Sequence, residues 1–227
     1  MKRLIKILRA LIVIFLVTSI GATLYYKWMP VEVTPLMLLR DAGNIIHGEK
    51  PRHEHRWVPL DSISRHLPVA VIASEDQNFL KHHGFDIEAI TQAIDEQKRT
   101  GRVRGASTIS QQTAKNVFLW PSSDWIRKGF EAYFTVLIEV FWSKERIIEV
   151  YLNSIEMGEG IYGAEAVAME NFGCHAHELR RGECALVAAT LPNPRRFSSR
   201  TPSKYMRSRQ KWILKQMKNI PELKNNK

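Results

Sequence analysis

The densest chemistry in this sequence begins at Glu75-Asp76-Gln77-Asn78-Phe79 and continues through His82, Gly84 and Asp86. Val71, Glu75 and Phe79 recur every four residues, so one carboxylate shares a helix face with apolar neighbours, Ile72 among them. Partial burial disfavours the ionised form and lifts a carboxyl toward working pH, which makes a glutamate useful as a general acid or base. A surface glutamate beside Asp76 is the alternative that the spacing leaves open. His82 and His83 are adjacent and point to different sides of a helix, a poor ligand pair.

A second block runs Gly105-Ala106-Ser107-Thr108-Ile109-Ser110-Gln111-Gln112-Thr113-Ala114-Lys115-Asn116. Gln111 and Lys115 are four apart, as are Gln112 and Asn116, so one helix flank offers amides and an ammonium together. Ser107 reads as the cap of that helix, and Ser107, Thr108 and the first-turn amides face the same way, where a helix N-terminus favours anions. In a third cluster Arg127 and Glu131 are four apart beside Lys128, which suits a phosphate and a second acid as well as it suits a surface ion pair. Together the blocks point to acid–base chemistry on a polar, anionic substrate.

The elements that must position these residues read as helices almost throughout. Period-two strand patterns are nearly absent, and the predicted fold class is all-α. A first helix starts near Pro68 and runs to a stop at Gly84. Asp86 caps a second, which ends near Gly101. The connector Gly101-Arg102-Val103-Arg104-Gly105 reads as short, cationic and flexible. Asp124 opens a long apolar helix with Phe130, Phe134, Leu137, Ile138 and Phe141, and a further helix covers Lys144 to Asn153. Gly158, Gly160 and Gly163 mark a loop, Gly173 and Leu191-Pro192 each end a helix, and Thr201-Pro202 starts the last. On that last helix Tyr205, Arg209, Trp212 and Gln216 share a face.

Ala10 to Tyr26 contains no charge, with Lys2, Arg3, Lys6 and Arg9 before it and Lys27, Trp28 and Pro30 after it. Leu4 to Trp28 is long enough to cross a bilayer, and the basic flank predicts an uncleaved anchor with a cytoplasmic N-terminus and an outside body. The expected organisation is a cytoplasmic tip and anchor over 1–30 and an irregular basic lead-in over 31–66. A catalytic domain over 67–200 and a basic C-terminal helix and tail over 201–227 follow. The lead-in histidines His53, His55 and His66 read as a solvated linker, and Cys174 and Cys184 as separately buried thiols. In a chain of 227 residues a formal net charge of +10 calls for an anionic partner, while 44% hydrophobic content excludes a disordered chain.

The motifs resemble the peptidoglycan glycosyltransferase family, found as the transglycosylase module of class A penicillin-binding proteins and as monofunctional biosynthetic transglycosylases. E-D-x-x-F-x-x-H-x-G-x-D fits Glu75, Asp76, Phe79, His82, Gly84 and Asp86. G-x-S-T-I-x-Q-Q-x-x-K-N fits Gly105 through Asn116, and R-K-x-x-E fits Arg127, Lys128 and Glu131. K-x-x-I-x-E-x-Y-L-N fits Lys144, Ile147, Glu149, Tyr151, Leu152 and Asn153. The resemblance covers roughly residues 57 to 200, and with no transpeptidase module after Lys227 it is to the monofunctional type. Three stretches depart from the family pattern: Asn171-Phe172-Gly173-Cys174 in place of Y-F-G-K, Ser123 where an arginine is common, and Gln92 where a basic residue is common.

The resemblance implies a lysozyme-like helical fold behind a single transmembrane helix. It implies polymerisation of lipid II into β-1,4-linked glycan, with inversion and release of undecaprenyl pyrophosphate. Glu75 is then the general base and Glu131 the second carboxylate. Lys115 with Arg127 or Lys128 neutralises the leaving group, and Ser107, Thr108, Gln111, Gln112 and Asn116 bind substrate. The implied location is the bacterial inner membrane, single-pass, with the catalytic domain on the periplasmic face. The implied partners are lipid II, the growing lipid-linked glycan and the membrane, not nucleic acid; cell-wall synthesis or division proteins stay open. No organic cofactor is implied, and a divalent cation (Mg or Mn) shared by carboxylate and pyrophosphate stays open. Two rivals remain at this point: a lytic hydrolase using Glu75 as acid, and a non-enzymatic, membrane-tethered basic protein. The second lacks the aromatic–basic interleaving of a nucleic-acid surface.

Overall fold

A computed structural model describes residues 2–50, 53–101, 105–221 and 223. Ten α-helices and three very short strands are found among them. The cationic connector expected at 101–105 falls largely on residues 102–104, outside the described residues.

Helix α1 (Lys2–Tyr26) is long and apolar enough to cross a membrane. Its 25 residues span about 37 Å at the α-helical rise, against a hydrocarbon core of about 30 Å. Its C-terminal half is docked on the body. Ser19 Oγ lies 2.7 Å from Tyr133 Oη, and Trp142 Nε1 donates to Thr23 O at 2.8 Å. Arg146 donates to Tyr26 O through both Nε (3.1 Å) and Nη2 (2.8 Å), and also to Met29 O. The Tyr26 carbonyl that the helix C-terminus leaves without an intrahelical partner is therefore taken up by a guanidinium, which also holds the turn at Met29.

The lead-in, expected to be irregular, contains α2 (Pro35–Ile46), with Thr34 as its N-cap and Pro35 at its start. Proline at the first helical position removes only an N–H that has no helical partner, so Pro35 can open a helix within this stretch. A three-stranded sheet follows from β1 (Glu54–His55), β2 (Glu156–Gly158) and β3 (Ile161–Tyr162), in the order β1-β3-β2. The glycine-marked loop at 158–163 is thus an antiparallel hairpin that also pairs in parallel with β1. Strands this short carry no readable period-two pattern.

Helix α3 (His66–Glu75) is the centre of the core: every residue from Leu67 to Ala73 is buried. It packs against α9 (Arg181–Thr190) and α10 (Lys204–Gln216). The helix stops at Glu75 rather than at Gly84, because Asp76 leaves the helical region (φ −159°, ψ 77°) to reach other partners. The last helix starts at Lys204 under a Ser203 cap, two residues later than Thr201-Pro202 suggested. Between these lie α4 (Ile87–Thr100), capped by Asp86, and α5 (Ile109–Phe118). Then come α6 (Trp125–Phe141), capped by Asp124, and α7 (Lys144–Ser154), followed by α8 (Ala164–Phe172), closed by Gly173. Cys184 is buried and Cys174 half-buried, and both thiols are free. Packing of α5 on α6 and α7 completes the scaffold that holds the polar blocks.

Candidate active site

Asp76 ties the first two blocks together. Its carboxylate accepts from His82 Nε2 at 2.9 Å and 3.0 Å and from the Ile109 backbone N–H, at the start of α5, at 2.9 Å. A carboxylate at a helix N-terminus is stabilised by the unpaired amides there. Thr108, not Ser107, caps α5. Its Oγ1 accepts from Gln111 N at 3.2 Å and donates to Gly84 O at 2.6 Å, while Gln111 Oε1 accepts from Thr108 N at 3.0 Å. This reciprocal capping box spends Thr108 and the Gln111 carbonyl on local structure. Both residues are buried, while Ser107 is exposed at the rim. Gly84 stops no helix. It has φ +93°, and a Cβ there would meet Thr135 Cγ2 at 2.8 Å, so the first block closes against α6 only with glycine.

Glu75, at the end of α3, is set apart from Asp76. Ser74 Oγ donates to its Oε1 at 3.2 Å and Gln112 Nε2 to its Oε2 at 3.4 Å. Gln112 is held in turn by Tyr151 Oη, which donates to its Oε1 at 3.2 Å. Burial lifts the Glu75 carboxyl above its usual 4.5, against the Gln112 and Ser74 donors and the charge of Arg209. Arg209 reaches the site from α10, donating from Nη2 to Ser74 Oγ at 3.2 Å.

One turn further along α5, Lys115 adjoins a second cluster. Arg127 Nη1 donates to Glu131 Oε2 at 2.6 Å, and Lys128 Nζ pairs with Glu131 Oε1. Lys115 forms no ion pair among the described residues. Burial lowers its ammonium from 10.5; the Glu131 charge opposes that, and Arg127 and Lys128 add to it. Asn116 Nδ2 and Arg127 Nε are buried with no hydrogen-bond partner among the described residues. An unpaired buried donor is costly, and a free Arg127 donor beside Lys115 and Lys128 is chemistry that suits an acceptor-rich anion.

Helix α5 therefore runs between two centres. Gln112 serves a carboxyl with a raised pKa, and Lys115, about 4.5 Å further along the axis, adjoins the charged cluster on α6. Of the expected binding residues, Gln112, Lys115, Arg127 and Lys128 belong to these centres, Asn116 is buried on α5 with its Nδ2 unpartnered among the described residues, and Thr108 and Gln111 shape the turn that starts the helix. Ser74, Tyr151 and Arg209 belong to the Glu75 centre without having been singled out for it. The signal for Arg209 was its shared face with Tyr205 and Trp212 on the last helix. Among the described residues, no group of three or more His, Cys, Asp or Glu side chains is arranged to hold a metal ion. Glu131 is already bound by two cations, so the donor set does not fit a divalent ion there.

The sequence profile of the Transglycosylase family matches residues 42–218, more than half of the chain. A protein of Bacteroides thetaiotaomicron called biosynthetic peptidoglycan transglycosylase is 57% identical over 221 residues, covering 97% of this chain and 89% of its own. Proteins of the same description from Pseudomonas putida and Bdellovibrio bacteriovorus are 48% and 49% identical. They cover 96% and 89% of this chain, and 92% and 81% of their own.

Proposed function

Because the chain belongs to the transglycosylase family, we propose how its residues carry out glycan polymerisation, with Glu75 as general base. It is a peptidoglycan glycosyltransferase of cell-wall biosynthesis, acting on lipid II in association with the membrane. The observation that carries the mechanism is the division of labour along α5: a half-buried carboxyl held by Gln112, and Lys115 set against the Arg127–Lys128–Glu131 cluster.

In this reading Glu75 accepts the proton of the 4-hydroxyl of the acceptor N-acetylglucosamine. That oxygen bonds to C1 of N-acetylmuramic acid at the lipid-linked end of the growing chain. The bond from C1 to the diphosphate oxygen breaks, its electron pair leaves on undecaprenyl diphosphate, and the configuration at C1 inverts. Lys115, Arg127 and Lys128 neutralise the charge developing on the leaving group, which is electrostatic stabilisation by groups already in place. Arg127 Nε, unpartnered among the described residues, supplies a donor. Glu131 orients Arg127 and Lys128; held by both cations, it is poorly placed to serve as a proton donor. No step is assigned to a metal.

The anchor fits this chemistry. A polyprenyl diphosphate cannot leave the bilayer, so the body must work at its surface. The contacts that clamp α1 to α6 and to Arg146 hold the body at a fixed height above the membrane. Trp125 (90% exposed) and Ile126 (71%) at the start of α6 extend the apolar surface of α1 and would enter the interface. Lys2, Arg3, Lys6 and Arg9 in the first turns of α1 support a cytoplasmic N-terminus with the catalytic body on the periplasmic face. Incubating the wild type and Glu75→Gln with lipid II and sizing the glycan tests the proposal. Polymer from the wild type alone supports it, and equal polymer from both sinks the base assignment.

A further inference from the structure

The hollow beside Glu75 has a chemistry that the base and the diphosphate pocket do not explain. It encloses about 210 Å³, and its walls carry Glu75, Asp76 and Asp86 with no lysine or arginine among the described residues. A diphosphate is repelled there; a neutral, hydroxyl-rich ring is not. Polar groups for such a ring come from Asn78, Gln92 and Ser107. The one aromatic wall is Trp212 of α10, which stays 44% exposed.

Trp212 is also a wall of a second hollow, of about 270 Å³, shared with Tyr205, Ser208 and Arg209. Tyr205 is 55% exposed and lies seven residues from Trp212 on the same face, roughly 10.5 Å along the axis. That separation is comparable with one disaccharide of an extended β-1,4 chain. Both rings are braced. The Arg209 guanidinium sits 5.7 Å from the indole centroid while bonded to Ser74, and Tyr205 tilts against Phe197 at 5.4 Å. Helix α10, which carries both rings, packs on α9 and α3, whereas α1 packs on α6.

Resting on the glycosyltransferase reading above, we propose that Trp212, extended by Tyr205, is a stacking platform for the N-acetylhexosamine rings handled at Glu75. A pyranose presents an apolar C–H face with hydroxyls around its edge. A braced indole offers apolar area at little entropic cost, while neighbouring side chains take the hydroxyls. The ring has two possible sources, the acceptor disaccharide and the glycan already made.

The test uses the full chain in detergent or liposomes with lipid II as probe, comparing wild type, Trp212→Ala, Trp212→Gln, Trp212→Phe and Tyr205→Ala. Stacking of the acceptor raises the KM for lipid II in Trp212→Ala and Trp212→Gln about tenfold with product length kept. Stacking of the growing chain instead shortens the product while the first coupling keeps its rate. Either result supports the platform if Trp212→Phe restores most of the loss and Tyr205→Ala shows a smaller change of the same kind. The proposal is overturned if KM and product length stay within about twofold of wild type in both non-aromatic variants, or if Trp212→Phe is as impaired as they are. Wild type that makes no polymer would overturn the underlying reading instead, so the two failures are distinct.

Discussion

Gln112 Nε2 stands 3.4 Å from Glu75 Oε2, a contact that crosses 37 residues of sequence and joins the end of α3 to the middle of α5. The same amide accepts from Tyr151 on α7, so three helices meet at one carboxylate. The donor favours the ionised form of a group that burial pushes toward neutrality, and the balance sets how strong a base Glu75 is.

Gln112→Ala removes that donor and leaves the buried Tyr151 hydroxyl without its acceptor. A hydrogen bond to a charged group contributes about 1.5–3 kcal/mol, so turnover of lipid II should fall about tenfold or more. The acid limb of the pH–rate profile should move to higher pH. Tyr151→Phe, which only loosens the amide, should show a smaller shift of the same sign. Initial rates measured across pH check both.

Arg209 acts on Glu75 through Ser74 and through its charge, which lowers the Glu75 pKa. In Arg209→Ala that opposition is lost, the carboxyl rises further, and the pH at which the base ionises moves up. Activity at low pH should drop more than activity at high pH, and Arg209→Lys should restore part of the difference. A uniform loss at all pH values would make Arg209 a packing residue only.

Glu131→Gln leaves the buried Arg127 guanidinium and Lys128 without their shared counter-ion. Breaking a buried pair from one side costs about 3–5 kcal/mol, so a large fall in melting temperature is expected. Lys128→Ala removes a side chain that is 41% exposed, and a half-exposed pair contributes only about 0–1 kcal/mol. Its melting temperature should change little while turnover falls. Thermal unfolding beside lipid II turnover separates the two.

Lys115 has its pKa lowered from 10.5, chiefly by burial. The ammonium is the active form, so activity should be lost as pH rises through that lowered value, earlier than an ordinary lysine would allow. Lys115→Arg keeps the charge at high pH and should push the alkaline limb upward, whatever it does to the maximal rate. An unmoved limb would show that another group titrates there.

Much of this was legible because chemistry and local structure coincide. Asp86, Asp124 and Gly173 terminate helices where their side chains or their lack of one dictate. The apolar neighbours of Glu75 point to partial burial while leaving a surface position open, and the Arg127–Glu131 spacing allows the pair that forms without showing that it is buried. The rest depended on partners distant in sequence. Thr108 rather than Ser107 caps α5 because only Thr108 also reaches Gly84 O. The α3 helix stops at Glu75 because Asp76 is drawn to His82 and to the α5 amides, none of which a periodicity can see. Arg209 lies 135 residues from Ser74, and its place beside the base follows only from the packing of α10 on α3.

Glu75→Gln tests the central claim most directly, by lipid II turnover with binding and melting measured in parallel. A lost general base removes about 10²–10⁴-fold of rate, so polymer should all but vanish while lipid II still binds. The folded-state pKa of Glu75 is raised, so its stabilising contribution is present below about 4.5 and is lost as pH rises through the folded value. At neutral pH the uncharged glutamine should therefore melt no lower than wild type. Turnover within a few-fold of wild type would contradict the account, whatever the binding and melting show.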